Sequence, residues 1–324
     1  MTVEPPFIDD VRNLRQRLSD HIVRTPVVRC DAIERRIGGD TCVAAKLEFL
    51  QQTGTFKARG ALSVVMSLNE EQRASGITAV SAGNHAIATA FAAKSVGASA
   101  KVVMLGSANP MRIERCKSYG AEVVIVADVH EAFEVAENIQ RHEGRFFVHP
   151  FEGPHTFAGT ATVGLEICEQ IDEFDALIVA IGGGGLCAGV SSAVKQLRPG
   201  VTVIGVEPAG ADSMSRSFRS GKPESLQEIR TIADSLGAPF ALPQSFEICR
   251  DNVDDIVIID DEDMRDAMRY LLREMKLAVE PACSASTAAL IGPLADQLRG
   301  KKVVLLMCGS NIDWKTYQSH VAPA

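Results

Sequence analysis

Short β-branched runs alternate with helix-length stretches along this chain, and that alternation most limits what it can fold into. Residues 101–105, Lys-Val-Val-Met-Leu, have the length and apolar continuity of a buried strand. Asn109-Pro110 then opens a helix through Met111 to Tyr119. Proline is tolerated in a first turn because its missing N–H would have no helical partner there. Gly120 stops the helix, and residues 122–126 read as the next strand, completing a βαβ unit. Residues 77–80, 176–181, 201–206 and 302–307 are further runs of strand length. Strands separated by helices predict parallel sheets covered by helices, an α/β fold. After Ile259, acidic residues 260–263 precede Met264, Met268, Leu271 and Met275 at helical spacing. Favourable charge at a helix N-terminus explains that acidic run better than a metal site does.

The 324 residues leave room for about two domains. A net charge of −8 suits a soluble protein and disfavours phosphate backbones, so no nucleic-acid partner is expected. None of the eight cysteines has C-x-x-C spacing, which argues against a zinc knuckle or redox dithiol. A reducing cytoplasm is the simplest setting. The polar, acidic first ten residues show no signal peptide. Residues 176–194 are uncharged and nearly long enough to span a bilayer, but four successive glycines interrupt them. A strand, a glycine turn and a helix are expected there instead, with no membrane partner.

Three segments suggest chemistry. In residues 51–61, Thr53-Gly54-Thr55 forms a polar turn followed by Phe56 and Lys57. A lysine amine of lowered pKa can condense with a carbonyl cofactor. A solvated surface lysine is the bland alternative. Ser81-Ala82-Gly83-Asn84-His85 lies between the strand at 77–80 and an alanine-rich helix at 86–95. Such a turn presents N–H groups to a carboxylate, although an ordinary helix cap fits it as well. Gly182, Gly183, Gly184 and Gly185 follow the strand at 176–181 and precede a helix from about Leu186, as a phosphate loop would. A rival reading uses the same loop: Gly183, Gly185 and Ala188 match G-x-G-x-x-A, and Glu207 ends the next strand. That pattern implies a nicotinamide oxidoreductase, but it leaves Lys57 and the Ser81–His85 turn without a role. No Lys-Ser or Lys-Thr follows the glycines, so a P-loop is excluded. Cys308-Gly309-Ser310-Asn311 lies at the end of the 302–307 strand, where ligands of parallel sheets gather.

Together these segments resemble the fold-type II pyridoxal-phosphate (PLP) enzymes, within them the serine/threonine dehydratase and serine racemase branch. The signature Lys-x-Glu-x-x-Gln-x-Thr-Gly-(Ser/Thr)-Phe-Lys-x-Arg-Gly-Ala is matched from Lys46 to Ala61. The Ser-Ala-Gly-Asn-His turn, the glycine run, Thr231-Ile232-Ala233-Asp234, Glu280-Pro281 and Cys308-Gly309-Ser310-Asn311 follow in family order. The resemblance implies a two-domain, tryptophan synthase β-like architecture. Residues 1–75 and 152–324 would form a large PLP-binding domain, and residues 76–151 a small inserted substrate domain. It implies that Lys57 holds pyridoxal 5'-phosphate and later acts as base at Cα. Phe56 would pack on the ring, Asn84 bond its 3′ oxygen, Cys308 face its nitrogen, and Glu280 lie nearby. Gly182 to Gly185 and the Leu186 N–H would hold the phosphate. Ser81, Ala82, Gly83, Asn84 and His85 would grip the carboxylate of a small amino-acid substrate.

The implied reaction is dehydration of a β-hydroxy amino acid such as L-threonine or L-serine to a 2-oxo acid and ammonia, the hydroxyl leaving with a proton from the PLP phosphate. Serine racemisation, hydroxyaspartate dehydration and β-replacement are alternatives within the family, and a non-catalytic PLP carrier is the bland one. A homodimer is expected. Three departures stand out. Racemases carry a serine where this chain has Ala82. Thr160 and Ala161 replace a Gln-Gly pair. The branch's divalent-cation site (Mg or Ca) matches at Glu207 and the Ala211 carbonyl, but Ser213 replaces a carboxylate, so binding should be weaker. After Cys308 only residues 309–324 remain, too few for an amino-acid-sensing domain, so no isoleucine inhibition is expected.

Overall fold

The computed structural model describes residues 4–322. Among them, ten strands form two sheets: β1 Val27–Arg29, β2 Cys42–Leu47, β3 Ile77–Val80, β4 Ala100–Leu105, β5 Glu122–Val126, β6 Phe146–Phe147, β7 Ala176–Ala180, β8 Thr202–Pro208, β9 Asp255–Ile259 and β10 Lys302–Met307. The larger sheet has the order β1-β2-β10-β7-β8-β9, and the smaller β5-β4-β3-β6. Only the β1–β2 pair is antiparallel. The α/β reading therefore holds, and each predicted strand is present within a residue or two of its expected ends.

Parallel strands need crossovers, and the crossovers here are helices that bury the sheet faces. All five residues of β7 are buried, as a central parallel strand requires. Its apolar neighbours on β8 and β10 join it in the main core cluster. A second cluster lies where the helices Lys57–Ser67 and Asn84–Ser95 meet each other and β4. The helix Val129–Glu143 closes the other side of the smaller sheet through Ala132, Ala136 and Ile139. Residues 176–194 form β7, the glycine turn and the start of the helix Gly185–Leu197. Among the described residues no helix is long and apolar enough to cross a membrane.

The helix after Ile259 begins as expected, with Asp260 and Asp263 forming a reciprocal capping box. It is α-helical only through Tyr270. Leu271–Met275 widens into a π-helical turn, and Lys276 leaves it in the left-handed region at φ 61°.

Candidate active site

Lys57 is the first residue of its helix, and the turn before it is held from two sides. Gln51 accepts from the Val23 and Gln52 N–H groups through Oε1 and donates to the Val23 carbonyl through Nε2. Phe56 N–H donates to the Cys308 carbonyl, and Ser310 N–H to the Gly54 carbonyl. These bonds stitch the lysine turn to the end of β10. Gly54 lies at φ +76°, and a Cβ there would meet Asn311 Oδ1 at 2.7 Å. Lys57 Nζ is 5.3 Å from the Phe56 ring centroid and donates to the Pro150 carbonyl. Burial pulls its pKa down to about 8, against opposing pulls from Cys308 and Glu280.

The Ser81–His85 turn follows β3. Gly83 N–H donates to Ser81 Oγ, and the helix starts at Asn84, two residues earlier than expected. Asn84 Nδ2 donates to Glu280 Oε1 at 2.7 Å and to Ser235 Oγ, while its Oδ1 accepts from Asn311 Nδ2. His85 shares a 2.8 Å hydrogen bond with the Val148 carbonyl through Nε2. Burial, with Lys57 nearby, lowers its pKa to about 3, so the ring is neutral and donates.

Gly182 to Gly185 cross the C-terminal end of β7. A Cβ on Gly183 would lie 2.3 Å from the Phe151 ring, and one on Gly185 2.3 Å from the Phe151 carbonyl oxygen. Only a bare backbone passes there. Thr160 Oγ1 reaches the Gly185 carbonyl at 2.8 Å and fastens the loop from the neighbouring helix. This is the contact made by one residue of the replaced Gln-Gly pair.

Glu280 and Cys308 lie buried behind Asn84 and the lysine turn. Glu280 Oε2 accepts from Asn311 N–H, and Arg112 Nη2 is 3.9 Å away. Burial raises the Glu280 pKa to about 7, with Arg112 opposing. The neighbouring Cys283 thiol and burial raise the Cys308 pKa, so it stays S–H.

Lys57, Gly183 and the whole Ser81–His85 turn face one cleft of about 470 Å³ between the two sheets. Lys57 also lines a smaller cavity with Phe56, Gly185 and Leu186. A reactive amine, a glycine cradle at a helix N-terminus and a carboxylate-sized turn thus converge. The pyridoxal-phosphate-dependent enzyme family matches residues 18–309. The chain belongs to this family.

The PLP enzyme is 50% identical over 320 residues to a phenylserine dehydratase of Ralstonia pickettii, covering 99% of this chain and 98% of that one. It is 35% identical to the catabolic L-threonine dehydratase of Escherichia coli, covering 95% and 94%. The structure of maize serine racemase superimposes with a TM-score of 0.92 at 34% identity, covering 98% and 97%. The enzyme is a PLP-dependent lyase of the dehydratase class. The donor set fits PLP: an amine, a loop that no Cβ could enter, and a buried neutral thiol.

The cation reading of Glu207 and Ala211 finds no support in the structure. Both Glu207 oxygens accept backbone N–H groups, from Met214 at 2.9 Å and Ser215 at 2.7 Å. Glu207 caps the helix Ser213–Ser220 through these bonds, and burial outweighs them, raising its pKa to about 8. Ala211 N–H donates to the Pro208 carbonyl in the same turn. Among the described residues no three His, Cys, Asp or Glu side chains gather as a metal site. The residues do not fit the cation.

Several lining residues had no sequence signal. Arg112 crosses from the smaller sheet to pair with Asp234 and donate to the Asn311 carbonyl. Phe147, His149, Phe151 and Phe240 follow one another with ring centroids 4.8 to 6.3 Å apart. All four line the cleft. Aromatic residues at 147 and 151, either side of His149-Pro150 and close to Lys57 in space, were the available hint.

Proposed function

We propose that this PLP enzyme dehydrates a β-hydroxy amino acid whose β-carbon carries an aromatic ring, giving a 3-aryl-2-oxo acid and ammonia. For phenylserine the products are phenylpyruvate and ammonia. The observation that carries this reading is the aromatic wall of Phe147, His149, Phe151 and Phe240 in the cleft that Lys57 opens into. Burial lowers the His149 pKa to about 4, so that ring is neutral too. The 50%-identical relative carries the matching name, phenylserine dehydratase. A hydroxyaspartate side chain would need an uncommitted cation. Apart from Lys57, the cleft offers Arg112, whose charge Asp234 already matches.

Bound PLP supplies the electron sink that makes the substrate Cα proton removable. Lys57 holds it and then takes that proton at Nζ. A pKa near 8 keeps about a tenth of such an amine unprotonated at pH 7, against a few parts in ten thousand for an ordinary lysine. Phe56, beside Lys57, would pack against the bound group. Gly182 to Gly185 and the Leu186 N–H hold the phosphate at the helix N-terminus. Cys308, a neutral thiol, would stand at the ring nitrogen and would bring no carboxylate to keep it protonated. Asn84 and Glu280, joined by their hydrogen bond, would contribute polar groups to the bound ring. Ser81, Ala82, Gly83, Asn84 and His85 take the substrate carboxylate. Ala82 offers no proton to the far face of Cα, which favours elimination over racemisation.

We also propose that residues 76–151 form the smaller domain, closing on a larger one of 1–75 and 152–324. The helix Lys57–Ser67 is shared, since it packs on helices from both sides of the cleft. We place the enzyme in the cytoplasm, supported by eight free cysteines. We propose a homodimer; exposed Val23 and Leu50 flank the Gln51 bonds and give an apolar patch for it.

The test is release of 2-oxo acid and ammonia from threo-phenylserine, threonine, serine and 3-hydroxyaspartate. Phenylserine should give the highest kcat/KM, and Lys57→Ala should give no product. A preference for hydroxyaspartate or serine would reject the aromatic reading.

A further inference from the structure

Among the described residues, Phe133 and Ile229 are two of the few large apolar side chains that face water, at 52% and 36% exposure. Single exposed apolar residues are ordinary. These two are less so, because both line the active-site cleft. They come from opposite sides of it. Phe133 projects from the helix Val129–Glu143, which covers the smaller sheet. Ile229 belongs to the long connection after the helix Ser213–Ser220, and packs on Gly237 of the same connection. The residue before Phe133 is Ala132, which also lines the cleft. The wall behind continues through Phe147 and Phe240.

We propose that Phe133 and Ile229 form the clamp that takes the substrate's β-aryl ring and sets specificity for it. The proposal rests on the aryl dehydratase reading and names the residues that enforce it. A bound ring would withdraw the exposed faces of Phe133 and Ile229 from water and meet Phe133 edge-on or offset, geometries that aromatic pairs favour. Serine and threonine are too short to reach them, so the clamp adds affinity for aryl substrates alone. The charged groups of the cleft, Lys57 and the Arg112–Asp234 pair, lie with the turn and Asn311. The carboxylate and amine of the substrate therefore orient at one end and the ring at the other.

The test compares wild type with Phe133→Ala, Phe133→Leu and Ile229→Ala as holoenzymes. In Phe133→Ala the ratio of kcat/KM for phenylserine over serine should fall about tenfold or more, the size expected when a hydrophobic pocket loses a wall. The loss should appear mainly in KM, because the ring binds equally well before and during the reaction. Phe133→Leu should recover most of the ratio, and Ile229→Ala should lower it in the same direction. A second readout is calorimetric binding of 3-phenylpropionate and propionate. Phe133→Ala should weaken the first about tenfold and leave the ratio of the second to wild type near one. If wild type prefers phenylserine but Phe133→Ala keeps both ratios, the clamp is wrong and the aryl reading stands. If wild type itself prefers serine, both fall.

Discussion

Arg59 lies two residues beyond Lys57 at the centre of a buried ionic cluster, and replacing it with methionine should destabilise the enzyme by about 3 to 5 kcal/mol. Its guanidinium donates to both oxygens of Glu48 and both oxygens of Glu166, at 2.7 to 2.9 Å. Lys46 donates to Glu166 from the other side. The four side chains are between 0% and 1% exposed. Two cations thus balance two carboxylates, and Arg59→Met leaves one carboxylate uncompensated. Burial pushes Glu166 up, but Arg59 and Lys46 hold it below its ordinary value; without Arg59 it should rise. The escape is protonation. Taking up a proton at pH 7 on a carboxyl of ordinary pKa 4.5 costs about 3.4 kcal/mol, which caps the penalty within the same range. The sign follows. A carboxyl whose folded pKa is raised loses stability as pH rises, so the defect should shrink by about 2 kcal/mol between pH 7 and pH 5.5. Urea unfolding of both holoenzymes at the two pH values measures this. A defect below about 1 kcal/mol at pH 7, or one equal at both pH values, would refute the charge argument. Arg59→Met with Glu166→Gln should recover part of the loss, because it restores one cation to one anion.

Three further outcomes are expected. The apoprotein should react with PLP through Lys57 at a rate that rises about tenfold per pH unit and levels off near pH 8, because only the unprotonated amine attacks; borohydride should fix a phosphopyridoxyl group there, and a plateau near pH 10 or a label elsewhere would contradict the burial argument. Ala82→Ser should raise serine racemisation relative to pyruvate release, since it adds a proton donor to the far face of Cα, worth roughly 10² to 10⁴ in rate when well placed; wild type making D-serine as fast as pyruvate would mean Ala82 is not the determinant. Chelation should leave melting temperature and kcat/KM unchanged, while Glu207→Ala should destabilise by about 1 to 3 kcal/mol by stranding two buried N–H groups; a chelator-sensitive enzyme would restore the cation site.

Six of the strands were legible because a buried parallel strand must be apolar on both faces, as β4, β7 and β10 show. The lysine turn, glycine run and Cys308 segment were legible for a similar reason: each is a local backbone requirement written in consecutive residues. The π-helical turn at Leu271–Met275 was not, since its residues keep helical spacing. The bond from Asn84 Nδ2 to Glu280, 196 residues away, had no local signal. Arg112 and Asp234 stand 122 residues apart. Local segments marked Asn84 and Asp234, but nothing local marked these pairings, because each partner arrives from a distant part of the chain. Glu207 matched a pattern for cation binding, yet the N-terminus of the next helix had already claimed both oxygens.

The two ends of the cleft are therefore under different physical constraints. At the cofactor end every group has more than one obligation. Gly183 must clear Phe151, Glu280 must accept from Asn84 and Asn311, and the Lys57 turn must bond to β10, so a change there disturbs packing as well as chemistry. At the far end Phe133 faces water while Ala136 and Ile139 of the same helix fill the core. Its replacement leaves that core intact. Substrate preference can then change at residues such as 133 and 229 with little loss of stability, while the reaction at Lys57 stays the same.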